Sequence, residues 1–299
     1  MRLRQIEVFH AIYTSGSMTS AAALLNVSQP SVSKVLAHAE QQLGYRLFDR
    51  VKGKLIPTPE AHQLFKHVAS VYRNVDRLRH VAENLKLAHE GCVRIASTPA
   101  FGLEVLPRAV ATYRRKHENV VFEIETLHLD EITAALAEAR IDIGLAFEPV
   151  AHPDVREIEL ATGRFMVLAP ADFDLQGRAS LTVDDIAPFP YIGLNNRGPL
   201  GRLLSTRLEA GKVELNIVAW SETYHVAKAL VAQGAGLTIA DEITARSGGT
   251  DNIRVLPLEP ALEFDIKALH LGSTPLSLGA NDFLQHLGQT LRDFLAAAP

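Results

Sequence analysis

The run SQPSVSK, residues 28–34, gathers the side chains whose chemistry is easiest to assign. A glutamine amide can bond a base edge at two points, serine hydroxyls adapt to bases or phosphates, and a lysine neutralises phosphate. Ser28, Gln29, Pro30, Ser31, Ser33 and Lys34 are therefore the candidate DNA contacts. They can act together only if one helix presents its polar end outward, and the spacing predicts such a helix. Val32, Val35, Leu36, Ala39 and Leu43 recur at helical intervals, which turns Gln29, Ser31, Ser33, Lys34 and His38 to the opposite face. Ser28 is well placed to cap this helix, and Pro30 suits its first turn, where a missing N–H costs nothing.

The elements that must hold this helix lie on both sides of it. Leu3, Ile6, Phe9, Ile12 and Tyr13 give a first amphipathic helix that stops at Ser15-Gly16-Ser17. Ser17 or Thr19 can cap a second helix running through Leu25, with Ala21, Ala22 and Ala23 allowing close backbone approach. Asn26-Val27 makes the turn. Two helices across a tight turn, the second exposing Gln, Ser and Lys, match a helix-turn-helix; spacing alone also allows an αα-hairpin with a solvated polar face. Residues 47–50 and 55–58, joined by the Lys52-Gly53-Lys54 tip, read as a two-stranded wing whose Arg50, Lys52 and Lys54 would follow a phosphate backbone.

At 299 residues the chain suggests two or three compact units, and 47% apolar against 21% charged residues gives ample material for their cores. Charge is uneven. Residues 1–90 carry 12 Lys+Arg against 7 Asp+Glu, whereas the remaining residues carry 18 against 27. A basic head on an acidic body suits a polyanion-binding module tethered to something else. The single cysteine, Cys92, excludes an internal disulfide and any Cys-rich metal site. No metal or other cofactor is expected. The absence of a long apolar run and of a secretory signal predicts a cytoplasmic protein with no membrane partner.

The run SQPSVSKVLAHAEQQLGYRLFDR, with LRQIEVFHAIYTSGSMTSAAALL before it, resembles the winged helix-turn-helix of the LysR-type transcriptional regulators. The resemblance covers about the first sixty residues densely and the architecture of the whole chain more loosely. One departure concerns the end of the wing, where the family usually has a Gly in an LTxxG pattern and this chain has PTPEA, with Ala61. Residues 59–89 lack an internal Pro or Gly and space Leu64, Val68, Val71, Val75, Leu78, Val81, Leu85 and Ala88 by threes and fours. A helix of that length cannot bury its stripe alone, so it pairs with a second subunit or packs on its own C-terminal part. The resemblance implies the former: a homodimer through this linker helix, assembling into a homotetramer that holds promoter DNA and touches RNA polymerase.

After Gly91 the texture changes to α/β. CVRIAS, VVFEIETL, DIGLAF, RFMVLA, YIGL, NIVAW and GLTIA are short β-rich runs separated by helical stretches at 107–117, 131–139, 200–211 and 223–233. The alternation predicts a mostly parallel sheet in two sub-lobes, similar to a periplasmic-binding-protein clam, which is the effector domain of the same family. The expected fold class is α+β. It comprises a winged helix-turn-helix at 1–58, a linker helix at 59–89 and an effector-binding domain at 90–299. Lobe I would cover about 92–161 and 268–299, and lobe II about 162–267.

Ligands of open α/β sheets bind beyond the carboxyl ends of strands, near helix N-termini. That rule selects Ser97, Thr98, Thr126, Phe147, Glu148, Asn196, Arg197, Ser221 and Thr223 as candidate effector contacts. Arg197 could pair a carboxylate, and Glu148 or Glu222 an ammonium group. Ser97 and Thr223 are equally well placed as simple helix caps, Arg197 as a surface loop residue, and His128 reads as a solvated loop residue. The QGAGLT run enters a strand from a helix, the wrong order for a phosphate loop.

The expected function is promoter binding or bending modulated by a small molecule held between the lobes. The stretches LRQIEVFHAI, RLFDRVKGKLIPT and RIASTPAF look most like the branch of the family that senses basic amino acids and opines, so the effector expected is amino acid-like. The competing classes are a solute-binding protein and an α/β enzyme. The basic helical head opposes the first. The absence of HExxH, GxSxG, Walker and Rossmann patterns opposes the second.

Overall fold

The computed structural model describes residues 1–51, 54–87, 91–195, 198–211, 213–249 and 252–297, without the side chains at 50, 54, 73, 76, 77, 79–81 and 83–87. The chain divides into two compact units, Met1–Ala82 and Glu83–Pro299. Among the described residues no helix is long and apolar enough to cross a membrane.

The first unit opens with three helices, α1 (Leu3–Ser15), α2 (Met18–Leu24) and α3 (Gln29–Leu43). Gly16, at φ 66, ends α1 in the left-handed conformation that a residue without Cβ adopts freely. Ser17 then starts α2, its hydroxyl accepting from the N–H groups of Thr19 and Ser20. Ala21 and Ala22 are buried, and Phe9, Ile12, Val32 and Leu36 close the core around them. Ser28 takes the N-cap position of α3 without making a side-chain cap bond; its hydroxyl pairs with that of Ser31 at 2.9 Å.

The wing follows as an antiparallel pair, β1 (Phe48–Val51) and β2 (Lys54–Pro57), with Phe48 opposite Pro57. Glu40 on α3 fixes its root by accepting from Leu47 N at 2.7 Å and Phe48 N at 3.3 Å. The next helix, α4 (Pro59–Leu87), begins despite the missing glycine. Ala61 is fully buried, and its N–H reaches the Thr58 hydroxyl at 3.2 Å, so this turn needs no positive φ. Leu64 and Val68 pack into the head core, while Val71 and Leu78 further along α4 are exposed.

The second unit begins with β3 (Cys92–Ser97), α5 (Pro99–Leu103), α6 (Val105–Arg114), β4 (Val121–Thr126), α7 (Leu129–Ala137), β5 (Ile143–Phe147) and β6 (Val155–Pro170). It continues through β7 (Leu181–Thr182), α8 (Val183–Ile186), β8 (Pro190–Leu194), α9 (Pro199–Gly211), β9 (Asn216–Ser221), α10 (Tyr224–Ala232) and β10 (Thr238–Asp241). It ends with α11 (Glu242–Arg246), β11 (Ile253–Glu259), β12 (Glu263–Leu271) and α12 (Leu278–Ala296). The main sheet runs β4-β3-β5-β12-β6-β11-β7, with β10 also on β6, and β8-β9 form a separate parallel pair.

The expectation of a mostly parallel sheet is corrected here. The strands β3, β4 and β5 are parallel, but β12 runs antiparallel to both β5 and β6. The run RFMVLA is the last part of a 16-residue strand. Its first half pairs with β12 and its second half with β10 and β11, so one strand serves both halves of the unit. The core follows it across: Phe101 stacks on Phe147 at 4.7 Å, Phe147 meets Phe264 at 5.2 Å, and Phe264 meets Phe165 at 5.2 Å. The Trp220 ring lies over Gly193 on β8, so an added Cβ there would stand 2.6 Å from it and the exposed ring would have to shift.

Candidate functional site

Two sites emerge, one in each unit. In the first, the side chains singled out at the start of α3 do share a surface. Ser28, Pro30, Ser31 and Lys34 are exposed, while Gln29 and Ser33 are half-buried. Gln29 Nε2 rests 4.0 Å from Met18 Sδ, which leans the amide toward α2. The exposed face continues past Lys34 through Ala37, His38 and Gln41. Val32, Leu36 and Ala39 pin the other face to the core. The helix therefore cannot rotate its polar residues inward without losing three buried apolar contacts. Lys52 lies outside the described residues, as do the side chains of Arg50 and Lys54.

The second site is a cleft of about 860 Å³ in the C-terminal unit. Of the residues expected there, Thr98, Phe147 and Thr223 line it. Thr98 is the N-cap residue of α5 and Thr223 that of α10, and neither makes a side-chain cap bond. Ser97 sits at the end of β3, 1% exposed, its hydroxyl buried without a partner among the described residues. Ser221 shapes the turn into α10 by donating to Thr223 O at 2.9 Å. Thr126 is exposed at the end of β4 and is not among the lining residues. Asn196 and Arg197 lie outside the described residues.

Glu148 is not among the lining residues of the cleft. Its Oε1 accepts from Asp265 N at 2.6 Å, and its N–H donates to Asp265 O at 3.0 Å. With φ at 42, it is a turn residue locked onto the neighbouring strand end. His128, by contrast, does line the cleft, as the N-cap residue of α7. Glu222 lines it as well.

Tyr224 and Thr244 are cleft residues that strand-end reasoning missed. Tyr224 is the first residue of α10, and its hydroxyl is buried without a partner among the described residues, as is that of Thr98. Thr244 enters through α11, one short helix beyond the end of β10, so counting from the strand end overlooks it.

The helix ends differ in charge. The α7 N-terminus is already occupied by acids, with Asp130 and Glu131 in its first turn and Glu131 Oε2 accepting His128 N at 2.8 Å. The first turn of α10 carries no acid, so its N–H groups favour an anion. Behind the cleft, burial lifts the Asp241 carboxyl from its ordinary 3.8 to about 6. Burial lowers the Lys228 ammonium, which is caged by the carbonyls of Thr244 at 3.2 Å, Ala245 at 3.0 Å and Ser247 at 2.5 Å. The described residues contain no group of His, Cys, Asp or Glu suited to a metal.

Comparison with known proteins gives two family matches. Residues 3–62 match the bacterial regulatory helix-turn-helix protein, lysR family, and residues 88–292 match the LysR substrate binding domain. The HTH-type transcriptional regulator DgcR of Pseudoalteromonas sp is 42% identical over 97% of this chain and all of its own length. The octopine catabolism/uptake operon regulatory protein OccR of Rhizobium meliloti is 30% identical over 86% of this chain and 85% of its own. Full-length CbnR in complex with its target DNA superposes with a TM-score of 0.69 at 18% identity, covering 98% of this chain and all of that one, a likeness of fold.

Proposed function

The chain belongs to the lysR family of bacterial regulatory helix-turn-helix proteins, and from that premise we propose how its two sites divide the work. It is a DNA-binding transcriptional regulator with an effector-binding domain, not an enzyme. In our reading α3 enters the major groove of promoter DNA, with Gln29 and Ser31 at base edges and Lys34 on phosphate. The wing residues Arg50, Lys52 and Lys54 track the flanking backbone. The observation that carries this reading is the exposed polar start of α3, set against the buried Val32, Leu36 and Ala39.

A small molecule in the 860 Å³ cleft would alter how two or four such heads meet the DNA. The division into a head at 1–58, a linker at 59–89 and an effector domain at 90–299 follows from this scheme. The exposed Val71 and Leu78 on α4 favour pairing of linker helices in a homodimer, and two dimers would form the tetramer. RNA polymerase would be the protein partner, and the cytoplasm the site of action. An amino acid-like or opine-like effector suits the cleft. The first turn of α10, which carries no acid, takes a carboxylate, and Asp130 offers a counter-charge for an ammonium group. The relative OccR carries octopine in its name.

Calorimetric titration of the full chain with lysine, arginine, octopine and benzoate tests the effector class. Binding of the zwitterions, coupled to a change in affinity for DNA upstream of the protein's own gene, supports it. Binding of benzoate alone counts against it.

A further inference from the structure

We propose that His38 is a further DNA contact, an imidazole that Gln5 holds so that it presents an N–H to a phosphate oxygen; this rests on the reading of α3 as the DNA-facing helix. Gln5, on α1, is 4% exposed, and its neighbours allow its amide one orientation. Its Oε1 accepts from Arg2 N at 2.6 Å, so the NH₂ end faces α3. There Nε2 donates to Gln42 Oε1 at 2.8 Å and stands 3.2 Å from His38 Nδ1. An amide nitrogen carries hydrogens and has no lone pair to give, so Nδ1 must be the acceptor. The ring hydrogen therefore resides on Nε2, on the other side of the imidazole.

His38 is exposed and lies one helical turn beyond Lys34 on the same face. It stands ten residues past the Ser28 cap position, about 15 Å along the axis at 1.5 Å per residue. That is beyond the first turns of α3, which read bases, and in line with the phosphates that flank the groove. A neutral N–H donor matches an anionic oxygen and releases no counterion of its own. Gln5 is then a positioning residue: both N–H groups and the oxygen of its amide are engaged, and one of those contacts sets the tautomer of His38.

The test is DNA binding by the full chain at pH 8, as a salt series, on the fragment upstream of its own gene and on a scrambled fragment of equal length. His38→Ala should weaken binding about fivefold per head, the worth of one neutral hydrogen bond, equally on both fragments. The slope of log affinity against log salt should not change. Lys34→Ala, which removes a cation, should lower that slope by about one per head. Gln5→Leu and Gln5→Glu both remove the donor to Nδ1 and should reproduce the His38→Ala loss, yet add nothing in a His38→Ala background. Thermal midpoints of the variants separate loss of fold from loss of contact.

A loss confined to the upstream fragment would make His38 a base contact and overturn the proposal. So would a flattened salt slope in His38→Ala, or Gln5 effects that persist without His38. Normal affinity in Lys34→Ala would instead remove the reading of α3 on which the proposal stands.

Discussion

Replacing Tyr224 by phenylalanine separates the cost of the empty-handed hydroxyl from its use. The Tyr224 Oη is buried in the wall of the cleft with no hydrogen-bond partner among the described residues. A buried polar group left unpaired costs about 1–3 kcal/mol, and phenylalanine keeps the ring while deleting that cost. The free variant should therefore be more stable by about 1–2 kcal/mol. For a C-terminal unit of about 200 residues, that corresponds to a rise of roughly 3–6 °C in Tm. Ligand offsets that gain. The hydroxyl that was costly becomes a donor or acceptor to the effector, so the variant should bind about fivefold more weakly, the loss of one hydrogen bond near 1 kcal/mol. Scanning calorimetry of both proteins, free and saturated with the amino acid that most stabilises the wild type, reads both effects. A free variant less stable than the wild type would refute the reasoning, as would an undiminished effector-induced shift.

Other consequences follow from residues around the two sites. Asp241→Asn keeps the oxygen that accepts from Thr244 N at 2.8 Å but cannot ionise. The wild-type carboxyl titrates at about 6 instead of 3.8, so the stability it contributes is full below pH 4 and is lost as pH rises through 6. Urea unfolding should show the wild type losing about 3 kcal/mol relative to the variant between pH 4 and pH 7; a pH-independent difference would contradict this. Lys228→Met removes the ammonium held by the backbone carbonyls of Thr244, Ala245, Ser247 and Gly248 and should destabilise by about 3 kcal/mol in the same assay, whereas a purely surface lysine would cost under about 0.5. Leu78→Glu on α4 alters a side chain that is 69% exposed in the single chain. It should leave the head folded and shift sedimentation toward the monomer, and an unchanged assembly mass would count against pairing through α4.

The head was legible because its signals are local. Gly16, Ser17 and the alternation of Val32, Leu36 and Ala39 each act within a turn or two, and the elements fall where those residues place them. Ser28 shows the limit, since its position was foreseeable but its choice of Ser31 over a backbone N–H was not. The alternation of strands and helices in the C-terminal unit is visible in the sequence, but only the last part of β6 is. Its first half alternates between half-buried and exposed residues, and that polarity hides a strand that long pairing with β12 and β11 holds in place. The cleft was the least legible. Glu148 was sought as a charge, but a contact between residues 117 positions apart turns it to Asp265 N. Tyr224 and Thr244 reach the cleft through helix starts whose direction only the folded sheet defines.

DNA recognition by this protein rests, in our reading, on the exposed start of α3. Binding of the full-length chain to DNA upstream of its own gene should be measured for the wild type and for the combined Gln29→Ala, Ser31→Ala, Lys34→Ala variant. The variant keeps Val32, Leu36 and Ala39, so its thermal midpoint should match the wild type. Its affinity should fall at least a hundredfold, from the loss of two base contacts, the better of them worth about 1–3 kcal/mol, and one phosphate contact in each head. A folded variant that still protects the same DNA with wild-type affinity would contradict the account.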